Sequence, residues 1–169
     1  MDSDALRAMQ APYKDKYKSD PDAAVITLKA HGSIDESKIA CKVETGRALA
    51  VAGLHPATGG SGAELCSGDM LLEALVACAG VTLKAVATAL AIPLKAGVVR
   101  AEGDLDFRGT LGVAKDAPVG FREIRLAFDL DTEASQEQID SLIKLTERYC
   151  VIFQTLNKPP KLGLTINRT

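Results

Sequence analysis

The sequence contains no tryptophan, and aromatic residues make up only 4% of its 169 residues. So few aromatic rings leave little surface on which nucleic-acid bases could stack. Charges of both signs are mixed along the chain, and the formal net charge is only -2. Because no long basic run is present either, the composition argues against binding to nucleic acid.

Residues that could bind a metal are also scarce. The chain has four cysteines and two histidines, with no pair at C-x-x-C spacing, and His31 and His55 stand apart from each other. This spacing does not match the common structural zinc sites. We therefore expect no metal and no bound cofactor.

The N-terminal residues lack the basic-then-apolar order of a secretory signal, which predicts a cytoplasmic protein. The longest apolar stretch, residues 70–91, contains Glu73 and Lys84, so we expect a buried helix and not a membrane span. In a reducing cytoplasm a permanent disulfide is not expected. Any pairing of cysteines would then be transient and catalytic.

The order of predicted elements is typical of an α+β fold, in which helices pack on antiparallel sheet. The apolar fraction of 47% is large enough for a substantial core in one domain, residues 1–169. Capping residues mark two helices, with Ser67 expected before the first and Ser135 before the second. The predicted elements are a helix over 4–17 interrupted at Pro12, a meander of strands within 24–32, 38–46 and 47–54, a glycine-rich connection, a helix from Met70 to about Leu90, strands within 97–109 and 121–131, a helix over 136–150, and a last strand over 162–168.

Both long helices direct a cysteine towards the core. The residues three, four and seven positions from Cys78 are apolar except for Thr82, which predicts a buried stripe. This placement alone favours inert packing, because free cysteine is among the most buried residue types. Cys150 falls on the stripe of the second helix. If the helices pack face to face, Cys78 and Cys150 could approach within the distance that a disulfide requires. The stripe of the second helix consists of Ile139, Leu142, Ile143, Tyr149, Cys150 and Phe153.

The other candidate residues have two interpretations each. Cys66 lies just before the long helix, where it could be an extra thiol, a substitute partner for Cys78 or a small filler. Asp69 could serve the chemistry, or it could be a first-turn acid that interacts favourably with the helix dipole. Cys41 in a strand is expected in the core, and both histidines are expected in surface or turn positions.

Four segments carry a resemblance to a known family: SGDMLLEALVACAGVTLKAVA, VRAEGDLDFRGTLGV, GFREIRLAFDLD and LIKLTERYCVIFQTL. They resemble the first-cysteine helix, the paired strands and the second-cysteine helix of the OsmC/Ohr family of peroxide-reducing proteins. The resemblance covers roughly residues 38–169. It leaves residues 1–22 as an N-terminal helical extension of a single OsmC-like domain.

The resemblance implies an intertwined homodimer, in which each sheet wraps around two central helices. It implies that Cys78 and Cys150 are redox-active cysteines at the subunit interface. The acidic residue that the family has near the start of the first-cysteine helix best matches Asp69, with Glu73 as the fallback. The arginine that holds the thiolate in the family best matches Arg47, at a spacing that is not a clean match.

The chain departs from the family pattern at two positions. Gly68 stands where the family often has a proline before the acid, and Val151 stands where many members have a proline after the second cysteine. Burial raises the pKa of a cysteine, so a cation or hydrogen-bond donors must lower it again to give a thiolate. The two departures lie beside Asp69 and Cys150, so they bear on this activation.

The implied chemistry is thiol-dependent reduction of an organic hydroperoxide. Cys78 would attack the O–O bond, Cys150 would resolve the sulfenic acid to a disulfide, and an external dithiol would regenerate both thiols. The apolar residues around Cys78 favour an alkyl hydroperoxide over hydrogen peroxide. The alternative is a non-catalytic protein of the same fold that binds a hydrophobic small molecule beside Cys78.

Overall fold

The structure is a computed structural model that describes residues 2–19, 31–34, 40–44, 49–112 and 114–168; for residues 12–18, 31–34 and 40–44 it describes the backbone alone. Its elements bear out an α+β arrangement with antiparallel strands and one long central helix. In chain order they are α1 (Ser3–Ser19), β1 (His31–Ile34), β2 (Ala40–Glu44), β3 (Leu49–Gly53), a 3-10 turn (Pro56–Thr58), β4 (Leu65–Cys66), α2 (Ser67–Ala89), β5 (Ala96–Leu105), α3 (Phe107–Thr110), β6 (Phe121–Asp131), α4 (Gln136–Tyr149) and α5 (Val151–Asn157).

The N-terminal helix is longer and more regular than its sequence predicts. The Asp2 carboxylate accepts a hydrogen bond from the Ala5 N–H at 2.8 Å, and Leu6 is buried. The predicted interruption at Pro12 is wrong, because α1 continues through this residue. A proline inside a helix removes one backbone donor. The helix nevertheless extends over 17 residues, from Ser3 to Ser19.

The first sheet has the strand order β1-β2-β3-β4. Its first three strands form an antiparallel meander, as the sequence predicts for this region. The strand predicted over 24–32 lies mostly outside the described residues, and β1 occupies His31–Ile34 instead. Strand β4 then pairs with β3 in parallel through Ala52 to Leu65 and Gly53 to Cys66. This two-residue strand leads directly into α2. Ser67 is therefore the first residue of the helix, and the prediction that it is the N-cap is wrong. Cys66 occupies the cap position without a side-chain hydrogen bond to the helix.

The second sheet is the long antiparallel ribbon of β5 and β6. Its two faces differ, as the alternation along both strands requires. The face towards α2 is apolar, whereas the opposite face has cross-strand ion pairs between Arg100 and Asp129 and between Arg125 and Asp104. This polarity fixes which side of the ribbon covers the long helix. The apolar residues that face the core include Val99, Ala101, Ile124, Leu126 and Phe128.

The second helix begins as predicted, with a capping box at Ser135. The Ser135 hydroxyl accepts a hydrogen bond from the Gln138 N–H at 3.3 Å, and the Gln138 side chain accepts one from the Ser135 N–H at 2.9 Å. Leu142, Thr146 and Cys150 form the buried line of this helix. Tyr149 does not belong to the buried stripe, because it is 58% exposed.

The long helix is only partly covered within one chain. Leu75, Ala79, Leu83 and Ala87, one residue in every four, form its buried line. Cys78 lies at the edge of this line, and Val81 is 73% exposed although the sequence places it on the stripe around Cys78. The predicted stripe therefore extends beyond the surface that the chain itself covers.

The C-terminal segment does not form the predicted strand over 162–168. Its apolar residues alternate with polar ones, and Leu162, Leu164 and Ile166 are 93%, 90% and 78% exposed. A strand requires a neighbour to hydrogen-bond its backbone. In the part of the chain that is described, no strand is paired with these residues.

Candidate functional site

The fold brings Cys78 and Cys150 together. Leu75, Ala79 and Cys150 form a buried cluster between α2 and the start of α5, and Cys78 packs against it from its partly exposed edge. Cys150 is only 1% exposed, and a hydrogen bond joins its side chain to that of Cys78. The face-to-face packing considered from the helical stripes is therefore present in this structure.

Hydrogen bonds at Cys78 favour its thiolate. Burial alone would raise the pKa of Cys78, but the Ile152 N–H, the Cys150 thiol, the Val151 N–H and the Thr82 hydroxyl all hydrogen-bond the sulfur. Together these donors outweigh the burial and lower the pKa below the ordinary cysteine value. A thiolate is the nucleophilic form of cysteine. Cys78 therefore has the electrostatic environment of a reactive thiol.

The surroundings of Cys150 shift its pKa in the opposite direction, upwards. Burial raises the pKa of Cys150, and the hydrogen bond to Cys78 and the negative charge of that neighbour raise it further. The N–H groups of Phe153 and Ile152 oppose this effect without cancelling it. The two pKa shifts run in opposite directions, so Cys78 is the cysteine of the pair that ionises more readily.

The donors to Cys78 come from a break between two helices. Cys150 has φ -71° and ψ 109°, so it ends α4 and caps α5 in the same position. The predicted helix over 136–150 ends at this break, but the separate helix α5 that begins after it was not predicted. One signal of the break was available in the sequence, since Val151 and Ile152 are both β-branched and such residues have lowered helix propensity.

Two open spaces lie near the cysteine pair. A cavity of about 330 Å³ lies between β6, α2 and α5, and its wall includes Leu75 and Phe153 from the packing around the cysteines, together with Arg122 and Glu123. A groove of about 500 Å³ has Cys150 in its lining. The first space is partly apolar and is not lined by either cysteine, whereas the second gives an approach to Cys150.

The predicted acid lies away from Cys78 within the chain. Asp69 is exposed in the first turn of α2, nine residues before Cys78, which is about 13 Å along the helix. Glu73 is exposed beside Asp69 and lines the same surface groove. Arg47 lies outside the described residues, so its position relative to Cys78 stays a prediction.

The remaining candidates have local structural surroundings. Cys66 is partly buried and lies twelve residues before Cys78, about 18 Å along α2, which is too far for a disulfide within one chain. His55 accepts a hydrogen bond from the Ala57 N–H at 3.0 Å and stacks on Phe107 with ring centroids 4.8 Å apart. The backbone of Cys41 pairs with Ala52 in the meander. Within the described ranges, no group of three His, Cys, Asp or Glu side chains could hold a metal.

Comparison with known proteins identifies the family. A family model described as OsmC-like protein matches residues 60–165, which is more than half of the chain. The chain belongs to the OsmC-like family. The matched range contains both α2 and the break at Cys150, so the cysteine pair lies inside the part that defines the family.

Solved structures of OsmC-like proteins share this fold at low sequence identity. An OsmC-like protein from Mycoplasma pneumoniae has a TM-score of 0.66 and 18% identity, over 79% of this chain and 89% of that one. An organic hydroperoxide resistance protein OsmC from Legionella pneumophila has a TM-score of 0.61 and 14% identity, over 79% and 93%. The organic hydroperoxide resistance protein OhrB of Bacillus subtilis has a TM-score of 0.52 and 14% identity, over 78% and 93%. No curated protein matches the chain significantly.

We predict that replacing Val151 by proline raises the pKa of Cys78. Proline has no N–H to donate, yet it suits the first position of a helix, so α5 should still form. The loss of one hydrogen bond to a charged sulfur corresponds to about one pH unit. The measurement is the pH dependence of Cys78 alkylation by iodoacetamide, followed on the Cys78 peptide by mass spectrometry.

Val151→Ala is the matched control for this experiment, because it also removes the β-branched side chain but keeps the N–H. Its alkylation midpoint should stay with the wild type. Equal midpoints for the proline and alanine variants would contradict a role for the Val151 N–H.

The same titration on Arg47→Ala measures what that arginine contributes to the pKa of Cys78, and an unchanged midpoint would argue against the expected role of Arg47.

Proposed function

We propose that this OsmC-like protein is a thiol-dependent peroxidase that reduces organic hydroperoxides, with Cys78 as the attacking thiol and Cys150 as the resolving thiol. The observation that carries the proposal is the contact between two cysteines whose pKa values are shifted in opposite directions. The names of the similar proteins from Legionella pneumophila and Bacillus subtilis, which refer to organic hydroperoxide resistance, support the substrate class.

In the first step the Cys78 thiolate attacks the terminal oxygen of the hydroperoxide. A sulfur–oxygen bond forms while the O–O bond breaks, so sulfur is oxidised to a sulfenic acid and the peroxide is reduced. The leaving alkoxide takes up a proton and departs as an alcohol. The donors to the sulfur, from Val151, Ile152 and Thr82, lower the pKa of Cys78 and so increase the fraction of thiolate available to the peroxide.

In the second step the Cys150 sulfur attacks the sulfenic sulfur of Cys78. A disulfide forms, and the sulfenic hydroxyl leaves as water with the proton of the Cys150 thiol. The raised pKa of Cys150 keeps that proton in place before the first step. Contact between the two side chains means that this condensation requires little movement.

An external dithiol then returns both cysteines to thiols by exchange. One thiolate of the reductant attacks the disulfide, and its second thiol displaces the mixed disulfide, so the reductant leaves oxidised. The groove that reaches Cys150 provides a route for this partner. A reducing cytoplasm would supply such dithiols, which agrees with the compartment expected from the sequence.

The cavity beside the cysteines favours a substrate with an apolar body. Leu75 precedes Cys78 by nearly one turn of α2, and Phe153 follows Cys150 by nearly one turn of α5, and both line this space. A volume of about 330 Å³ is within the range of small-molecule pockets. An alkyl or aryl hydroperoxide would place its carbon skeleton there and its O–O bond at the sulfur.

In this proposal Asp69 and Arg47 act as an ion pair, and they reach Cys78 only if a second chain of the dimer contributes to the site. Asp69 is exposed and remote from Cys78 in its own chain. A charge-assisted pair between this carboxylate and an arginine would orient the cation. We retain both residues as candidates. Within one chain, the N–H groups of Val151 and Ile152 already lower the pKa of Cys78.

The active form is proposed to be an intertwined homodimer. The helix α2 is long and apolar enough by length and composition to cross a membrane, with 28% of its most apolar window buried in one chain. It nevertheless packs against α4, α5 and β5, as a core helix does. Its uncovered side, with Val81, and the exposed C-terminal segment are apolar surfaces that a second copy of the chain would cover, which supports the dimer.

The second candidate function is binding of a hydrophobic small molecule without catalysis. The cavity lined by Leu75, Leu126 and Phe153 supports it, because an apolar ligand could occupy this space whether or not the cysteines react. The two functions differ in the fate of the thiols, since a binding protein would keep them reduced in the presence of peroxide.

We predict that Cys78→Ser abolishes the reaction with cumene hydroperoxide, because the hydroxyl that replaces the thiol is not ionised at neutral pH. Cys150→Ser should give one turnover per chain and then stop at a sulfenic acid on Cys78. Dimedone labelling with mass spectrometry detects this species, and Cys66→Ser is the matched control that should keep full activity. Peroxide consumption by Cys78→Ser at the wild-type rate would refute the proposal.

We predict that Val81→Glu dissociates the dimer, because it places a charge on the uncovered side of α2. Sedimentation velocity at micromolar concentration should show a dimer for the wild type and a monomer for the variant. Val119 is similarly exposed, at 66%, in the connection before β6, so Val119→Glu is the matched control and should remain dimeric. A wild-type monomer under these conditions would remove the dimer from the account.

A further inference from the structure

A side-chain amide bridges the break between α4 and α5. The Gln154 Nε2 donates a hydrogen bond to the backbone carbonyl of Glu147 at 2.7 Å, seven residues earlier in the chain. In a continuous helix this carbonyl would accept from the N–H of Val151, four residues later. The amide of Gln154 therefore satisfies the acceptor that the break would otherwise leave without its helical donor.

The backbone on both sides of Cys150 remains regularly bonded. The Cys150 N–H donates to the Thr146 carbonyl at 2.9 Å, and the Cys150 carbonyl accepts from the Gln154 N–H at 2.9 Å. The departure from helix is thus confined to the peptide groups that follow Cys150. These are the groups whose N–H donors, on Val151 and Ile152, hydrogen-bond the Cys78 sulfur.

Two arrangements of the same segment compete for the Val151 N–H. In one arrangement it bonds the Glu147 carbonyl and a single helix continues; in the other it bonds the sulfur of Cys78. The Glu147 carbonyl lies at an exposed position, so water is its alternative partner when the helix is broken. By bonding that carbonyl within the chain, Gln154 ties α5 to the end of α4 across the break and so stabilises the second arrangement.

We propose that Gln154 is a positioning residue for the cysteine site: its side chain holds the α4–α5 break open and thereby keeps the Val151 N–H directed at Cys78. Gln154 does not itself touch the reacting sulfur in this account. The inference rests on the proposed function only for its catalytic consequence, because the geometry of the break and the reactivity of Cys78 can be measured without peroxide.

The test uses Gln154→Glu, which has nearly the same shape but loses the amide donor, and Gln154→Met, which loses it without adding charge. Both variants should alkylate Cys78 about three- to tenfold more slowly at neutral pH, with the midpoint of the pH profile raised by about half a unit to one unit. Gln136→Glu is the matched control, because the Gln136 amide donates to the exposed Asp140 at 2.7 Å, near the start of α4. Its profile should equal that of the wild type.

A double-mutant cycle separates positioning from a general structural effect. If Gln154 acts through the Val151 N–H, then Gln154→Met should shift the midpoint less in the Val151→Pro background than in the wild type, because proline has no N–H to direct and only the Ile152 N–H remains. Fully additive midpoint shifts, or unchanged midpoints in both Gln154 variants, would overturn the inference. Circular dichroism establishes that each variant is folded before its profile is compared.

The alkylation assay also separates this inference from the proposed function. If the wild type consumes no hydroperoxide but the Gln154 variants shift the Cys78 profile as expected, the peroxidase proposal fails and the positioning role stands. If the wild type consumes hydroperoxide and the Gln154 profiles are unchanged, the peroxidase proposal stands and the positioning role is wrong.

Discussion

The site depends on the break in the helix at Cys150. There the N–H groups of Val151 and Ile152 hydrogen-bond the sulfur of Cys78 instead of the backbone carbonyls of a continuous helix. Without these donors, burial against Leu75 and Ala79 would raise the pKa of Cys78 and leave it a packing residue. With them, the pKa of Cys78 is lowered although the sulfur lies on a largely apolar helix. The break also places Cys150 beside Cys78, where burial and the neighbouring sulfur raise the pKa of Cys150.

The rest of the fold makes this exchange stable. The ribbon of β5 and β6 covers one side of α2 with apolar side chains, and the line of Leu142, Thr146 and Cys150 holds α4 against it. The Thr146 hydroxyl, which is buried, donates to the Leu142 carbonyl at 2.8 Å and so adds no unsatisfied group to this contact. Both cysteines are therefore fixed by packing before any substrate binds.

The sequence patterns predicted the features that follow from local periodicity, such as strands, helix caps and buried faces. They did not predict features in which two hydrogen-bond acceptors compete for the same N–H group. The alternation in β5 and β6, the Ser135 cap and the inward face of Cys78 follow from spacing, and the structure agrees with them. The helix end at Cys150 was predicted, but the second helix α5 and the donors at the break could not be read from the apolar stripe, because the stripe continues across the break to Phe153. The strand over 162–168 is absent for a related reason, since its backbone has no partner among the described strands of one chain.

The most direct measurement is to map the disulfide formed when the reduced protein receives one equivalent of cumene hydroperoxide. Non-reducing digestion and mass spectrometry would identify which cysteine peptides become linked, and a thiol count would follow the same reaction. The account predicts the rapid loss of two thiols per chain and a link between the Cys78 and Cys150 peptides. Thiols that persist, or a link that omits Cys78, would contradict it.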